Sequence, residues 1–308
     1  MQTPRFVLSA LTVAFAMLVA GTAPAASPVS EPPAMTKPAH QALTVDVFNP
    51  GEAAIFAVSS VLVEGKQDAI LIDAQFSAQE AAKLAARIKA SGKHLTTIYI
   101  SHGDPDYYFG LDTLVRAFTQ AKVVATAQTV AHINASKDAK LKIWAPELGA
   151  NAPRQIVVPQ PLSGDTLMLE GQPLKIIGLD GPTPERTFVW IPSIKTVVGG
   201  IPVQWGEHVW MADTQSAASH EHWLATLEQI KALAPDTVIP GHFNGTFPKG
   251  LQAVQFTADY IRAFDKETAK ADNSAELIAA MKKRYPDLGG DSSLELSAKV
   301  AKGEMQWE

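Results

Sequence analysis

From Leu43 onward, apolar runs of strand length alternate with stretches whose apolar residues recur at helical spacing, which restricts the chain to a layered α/β fold. Residues 44–48, 53–63 and 69–73 read as strands, with Glu64-Gly65-Lys66-Gln67-Asp68 turning between the last two. A helix follows: Ser77 and Glu80 make a capping box, Ala81, Leu84, Ala85 and Ile88 form its apolar stripe, and Gly92 is its stop. Residues 95–100 form another strand, and the loop after it leaves from a carboxyl end, where open α/β sheets place their chemistry. The second half repeats this grammar. Residues 157–179 contain strand-like runs, 187–191 and 196–198 are strands joined through Pro192-Ser193, and 216–233 is a helix. Residues 237–242 then read as a strand ending in a turn and a histidine, with terminal helices over 252–270 and 274–284. One domain spanning 43–308 accommodates all of this.

Residues 1–26 stand apart: a short basic start at Arg5, an apolar stretch from Phe6 to Ala20, and small residues at Ala23, Ala25, Ala26 and Ser27. This is the pattern of a secretory signal peptide, and an apolar core of about 15 residues is too short to span a bilayer as a stable membrane anchor. The expected location is the periplasm or outside the cell. Residues 27–42, rich in Pro, Ser and Ala, suit a flexible lead-in. The chain has no cysteine, so an exported product has neither disulfides nor thiolate metal ligands. Its net charge of -5, with Lys and Arg scattered along the sequence, gives no footprint for nucleic acid.

The loop after the strand at 95–100 reads Ser101-His-Gly-Asp-Pro-Asp-Tyr-Tyr-Phe-Gly110. Residues two apart in extended chain point the same way, so His102, Asp104 and Asp106 can converge on one cation, with His242 closing from the other half. Together with Gly110-Leu111, the hairpin from Val61 to Asp73 and Pro240-Gly241-His242, this loop resembles the metallo-β-lactamase-fold hydrolases. The resemblance spans about 58–245 and implies a four-layer αβ/βα sandwich with a metal site at the edge of two facing sheets. The family motif His-any-His-any-Asp-His reads here as His102, Asp104, Asp106 and Tyr107, so two motif histidines are replaced. The counterpart of a further family histidine, around Leu179 to Glu185, holds none, and Gly199-Gly200 stands where a bridging aspartate is usual. Two imidazoles and two carboxylates are enough for one divalent ion and short for two. Zinc is the first choice, with iron or manganese favoured by the oxygen ligands. The family chemistry then implies a metal-bound hydroxide, Asp106 orienting and deprotonating the water, and Tyr107 donating to a developing oxyanion. The competing reading is a metal-free fold in which Asp104 and Asp106 cap the next segment and Tyr107, Tyr108 and Phe109 pack beneath the loop.

Other candidates carry weaker patterns. His220 and His222 face different directions on a helix and suit a solvated helix start. Asp213 either approaches the site or meets the amino end of the following helix. Asp180 and Glu185 are possible replacements for the missing histidine, and His40, His94, His132 and His208 read as surface residues. Trp144, Trp190, Trp205 and Trp210, with Pro146 and Pro202, offer walls for an apolar pocket. No Gly-any-Ser-any-Gly elbow supports a serine hydrolase. The function expected is an exported mononuclear metallo-hydrolase acting on a small-molecule ester, lactone or amide. The alternative is a non-hydrolytic descendant that binds a ligand or partner in the old cleft.

Overall fold

The computed structural model describes residues 41–307, so the expected signal peptide and most of the lead-in lie outside the described residues. Strands β1 (Thr44–Phe48), β2 (Ser60–Glu64) and β3 (Asp68–Ile72) form an antiparallel meander, and α1 (Ala78–Ser91) crosses over to β4 (His94–Ile100), parallel to β3. The short helices α2 (Pro105–Tyr108) and α3 (Leu111–Ala117) lead to β5 (Lys122–Ala125), and the long α4 (Ala127–Leu148) to β6 (Gln160–Pro161). These six strands form one sheet in the order β1-β2-β3-β4-β5-β6.

The second half supplies β7 (Thr166–Leu169), β8 (Gln172–Ile177), β9 (Phe188–Ile191), β10 (Thr196–Val198) and β11 (Gln204–Trp205). It continues with α5 (Ala217–Ala232), β12 (Thr237–Val238), β13 (His242–Phe243), α6 (Gln252–Thr268), α7 (Ser274–Arg284) and α8 (Asp291–Ala301). Five strands make a second sheet, β12-β10-β9-β8-β7, while β11 and β13 pair in parallel on their own.

Period-two alternation along the central strands sorts their side chains into separate cores. In β3, Ala69 and Leu71 point to a core shared with Leu84 and Ile88 of α1, whereas Ile70 and Ile72 point the other way. In β9, Val189 and Ile191 meet that second set, and Phe188 and Trp190 face Trp223 and Leu227 of α5 and Ile261 of α6. Three apolar cores therefore lie between four layers: helices, sheet, sheet, helices. Both faces of the inner strands are buried, which is why they read as nearly continuous apolar runs.

Two expectations need correction. Residues 51–57 turn rather than extend, so the long run at 53–63 contributes a strand only from Ser60. β12 covers only Thr237–Val238, and His242, after the bend at Gly241, opens β13, paired with Gln204 and bridged to Val58. Among the described residues no helix is long and apolar enough to cross a membrane.

Candidate functional site

The ends of β3, β4 and β10 are tied together by one buried carboxylate. Asp73, in a left-handed conformation at φ 66°, accepts from the Ser101 backbone N–H at 2.8 Å and from the Ser101 hydroxyl at 2.7 Å. The Ser101 hydroxyl oxygen in turn accepts from the Gly200 N–H at 2.6 Å. Burial pushes the Asp73 carboxyl up to about 7 against the lowering effect of those hydrogen bonds. The next chain segment is pinned as well, with the Ala74 N–H donating to the Tyr107 carbonyl and the Gly110 N–H to the Gln75 carbonyl. These bonds fix the loop that carries His102, Asp104 and Asp106.

The four expected metal ligands come to one region as two pairs. His102 Nε2 lies 3.1 Å from Asp104 Oδ2, and its Nδ1 lies 3.4 Å from the Glu185 carbonyl oxygen. His242 Nε2 lies 2.9 Å from Asp106 Oδ2, while its Nδ1 faces Glu207 Oε1 at 3.7 Å. Tyr107 packs edge-on against both imidazoles, its ring centroid 5.2 Å from that of His102 and 5.7 Å from that of His242. A cation is already present: the buried Lys140 ammonium is 3.8 Å from Asp104 Oδ1. Within each pair the spacing suits neighbouring ligands of one ion, which stand about 3 Å apart when each bond is about 2 Å. Among the described residues, however, no three His, Asp or Glu groups share a metal-sized space. Each imidazole faces its own carboxylate, so the four residues stand as two pairs in one region. The phenol of Tyr107 is fully buried against both pairs, where the motif has an imidazole.

Electrostatics separate the pairs further. Burial raises the Asp104 carboxyl, but the charges of His102 and Lys140 outweigh it and hold Asp104 below the usual carboxylate range. At His242, burial opposes the charged form, yet the hydrogen bond and charge of Asp106, with Glu207 behind, raise its pKa. Glu207 is pushed up to about 7 by burial, against the lowering effect of His242. Burial also raises Tyr107 well above the ordinary phenol range, with Asp106 and Asp73 adding to it, and its buried hydroxyl has no hydrogen-bond partner among the described residues. Asp104 occupies the N-cap position of α2 but makes no capping bond, so its carboxylate serves His102 and Lys140 rather than the helix.

A cavity of about 400 Å³ opens over Asp104, Asp106 and His242, with Glu207 beside them. Its apolar wall runs from Trp144 to Phe56 to Trp210 to Trp307, with successive centroids 5.1, 6.3 and 5.4 Å apart. Trp144 and Trp210 are thus in the wall as expected. Trp190 is instead core and Trp205 packs on Phe256, because their strands place them behind the second sheet. Asp213 does approach the site, accepting from the indole N–H groups of Trp210 and Trp307, and Ser216 caps α5 in its place.

The weaker histidine expectations fare unevenly. His220 is buried, 2.6 Å from Asp265 Oδ1, and His208 is buried against the Tyr260 hydroxyl, so neither is a surface residue. His132 is exposed, yet it stacks over His102 at 6.5 Å because Gly103 has no side chain to keep it away. His94 is exposed, and His40 lies outside the described residues. Asp180 is exposed on a turn.

The family profile of the metallo-beta-lactamase superfamily matches residues 54–242, more than half of the chain. The chain belongs to the metallo-beta-lactamase superfamily. The fold agrees. A metallo-beta-lactamase family protein from Thermus thermophilus superposes with a TM-score of 0.60 at 14% identity, covering 84% of this chain and 91% of that one. A beta-lactamase domain protein from Burkholderia ambifaria gives 0.56 at 15% identity, over 87% and 88% of the two chains. No curated protein matches the sequence. The matched segment of the superfamily ends at His242, so the motif loop and the closing histidine both lie inside it.

Three cavity residues carry no sequence motif. Lys140 and Trp144 are four apart on α4, a helical spacing that places them on one face of a helix the strand-and-helix reading passed over. Glu207 follows a glycine in an irregular segment, and nothing in its sequence neighbourhood announces it.

Proposed function

We propose that this chain is an exported hydrolase that opens small ester, lactone or amide bonds in the cleft over Asp106 and His242. The observation that carries this reading is the Asp106–His242 pair at the floor of the cavity, with Glu207 beside it, inside the segment matched by the superfamily. Asp106 orients His242 and favours its protonated form, so that imidazolium is placed to give its proton to a leaving oxygen or nitrogen. Glu207, poised near neutrality, takes the proton of an attacking water. Divalent metal is usual in the superfamily, and zinc is the first ion to test. The acid and base steps are assigned to the chain's own groups, whose contacts are in place.

The test is a screen of chromogenic esters, lactones and anilides with the mature protein, after chelation and after zinc is restored, alongside elemental analysis. Turnover should survive chelation and fall by about 10²-fold or more in Asp106→Asn, the range typical of general acid-base groups. An unchanged rate in that variant removes Asp106 from the reaction, and one tightly held ion per chain with chelation-sensitive turnover returns the chemistry to a metal. Export is read separately: amino-terminal sequencing of the periplasmic product should begin near Ser27.

A second reading has its own support. Lys140 lies against Asp104 and 5.0 Å over the Trp307 ring, a cation already seated in the cleft. It suits a non-hydrolytic binding protein, recognised by ligand binding with no turnover anywhere in the screen.

A further inference from the structure

The cavity is acidic and aromatic at once, and that combination selects a class of ligand. Among the described residues six carboxylates line it, from Glu52, Asp104, Asp106, Glu207, Asp213 and Asp291, against a single lysine, Lys140. Most are engaged: Asp104 by His102 and Lys140, Asp106 by His242, Asp213 by two indoles, and Asp291 by Lys282 at 2.7 Å. Glu207 is different. Its side chain is only 12% exposed, it receives no hydrogen bond among the described residues, and its nearest cation, His242 Nδ1, stands 3.7 Å away. It is a cavity-facing carboxylate whose one charged neighbour, His242, stands beyond hydrogen-bond distance and is itself bonded to Asp106. The same cavity is lined by Phe56, Trp144 and Trp210, and aromatic rings attract cations through their quadrupoles. The protein itself already shows this interaction, with the Lys140 ammonium 5.0 Å over the Trp307 ring.

We propose that the cleft recognises an organic cation, an ammonium group on a small apolar body, held between the Glu207 carboxylate and the Phe56, Trp144 and Trp210 wall. This rests on the reading of the cleft as the ligand site and names the class of molecule it takes. Anionic ligands meet the opposite situation, since Lys140 is committed to Asp104 and Trp307, His242 to Asp106, and the carboxylates of the lining outnumber both.

Calorimetry on the mature protein at neutral pH tests it with choline, its neutral isostere 3,3-dimethylbutan-1-ol and the anion 3,3-dimethylbutanoate. Choline should bind at least about tenfold more tightly than the alcohol, a difference within the range of a desolvated cation on aromatic rings. The anion should not bind. Glu207→Gln should remove most of the preference, and Trp210→Ala should lose affinity that Trp210→Phe keeps. Equal binding of the alcohol, binding of the anion, no binding of choline at millimolar concentration, or unaltered preference in both Glu207→Gln and Trp210→Ala would each overturn the proposal. Should Glu207→Gln fail to fold, the two Trp210 variants carry the test. Choline binding without ester turnover would sink the hydrolase and leave this inference standing, whereas turnover of neutral esters without cation preference would do the reverse.

Discussion

Asp73 is the residue on which the geometry of the loop depends, and its chemistry is measurable. Its carboxyl sits near 7 when folded and at an ordinary 3.8 when unfolded, so between those values the folded state holds a proton the unfolded state has released. Stability from this group is therefore fully present below pH 3.8 and lost as pH rises through about 7. The difference between the two states corresponds to about 4 kcal/mol as an upper figure. Asparagine keeps the shape and still accepts the Ser101 N–H, but does not titrate. Denaturant unfolding of Asp73→Asn across pH 4 to 8 should show a curve that falls less steeply than the parent. Parallel curves would mean that Asp73 titrates normally. At this scale the sequence was partly legible. His102, Asp104, Asp106 and His242 are found where the motif spacing puts them, in one region at the sheet edge. Their partners were not legible, because a pairing such as Asp106 with His242 joins residues far apart in the chain, and Glu207 and Lys140 carry no motif.

Elements were readable where the local chemistry was complete. Ser77 accepts from the Glu80 N–H at 3.2 Å, Ala81, Leu84, Ala85 and Ile88 are buried, and Gly92 closes α1 at φ 70°. Helix α1 therefore needs no distant information to be placed, and the same holds for β1, β10 and α7, whose limits match the residue pattern. Helix α4 is the contrast. It runs 22 residues with only Thr129, Ile133, Lys140 and Leu148 buried, two of them polar, so its stripe is too weak to see although it carries Lys140 and Trp144 to the cleft. Residues 51–57 erred in the other direction, being apolar enough for a strand but turning, which is how Phe56 reaches the cavity wall. The cap gives a clean prediction: Ser77→Ala should cost about 1 kcal/mol and lower Tm by about 2–4 °C. Calorimetric melting checks it, and no change would show that tertiary packing alone holds the start of α1.

The whole molecule is joined at a narrow seam beside the site. The Ser59 N–H donates to the Gly241 carbonyl at 2.8 Å, the Ser59 hydroxyl to the Pro240 carbonyl at 2.7 Å, and the Gly241 N–H to the Val203 carbonyl at 2.9 Å. Val58 bridges to His242 across the same line. The first and second halves of the chain thus meet where the closing histidine sits, and Gly241 occupies the tightest point. A Cβ there would stand 2.1 Å from the Gly200 carbonyl oxygen and 2.9 Å from the Tyr107 hydroxyl, so backbone on one side or the other must retreat. Overpacking of this kind costs about 1–3 kcal/mol, which for a domain of this size lowers Tm by up to about 10 °C. Stability and site should fail together in Gly241→Ala, because any retreat carries His242 away from Asp106 and Glu207. Melting temperature and hydrolysis or choline binding, measured on the same preparation, test that coupling. A variant that melts early but keeps full function would mean that the seam yields on the Gly200 side, and that the histidine is held by its pairing with Gln204 rather than by the junction of the two halves.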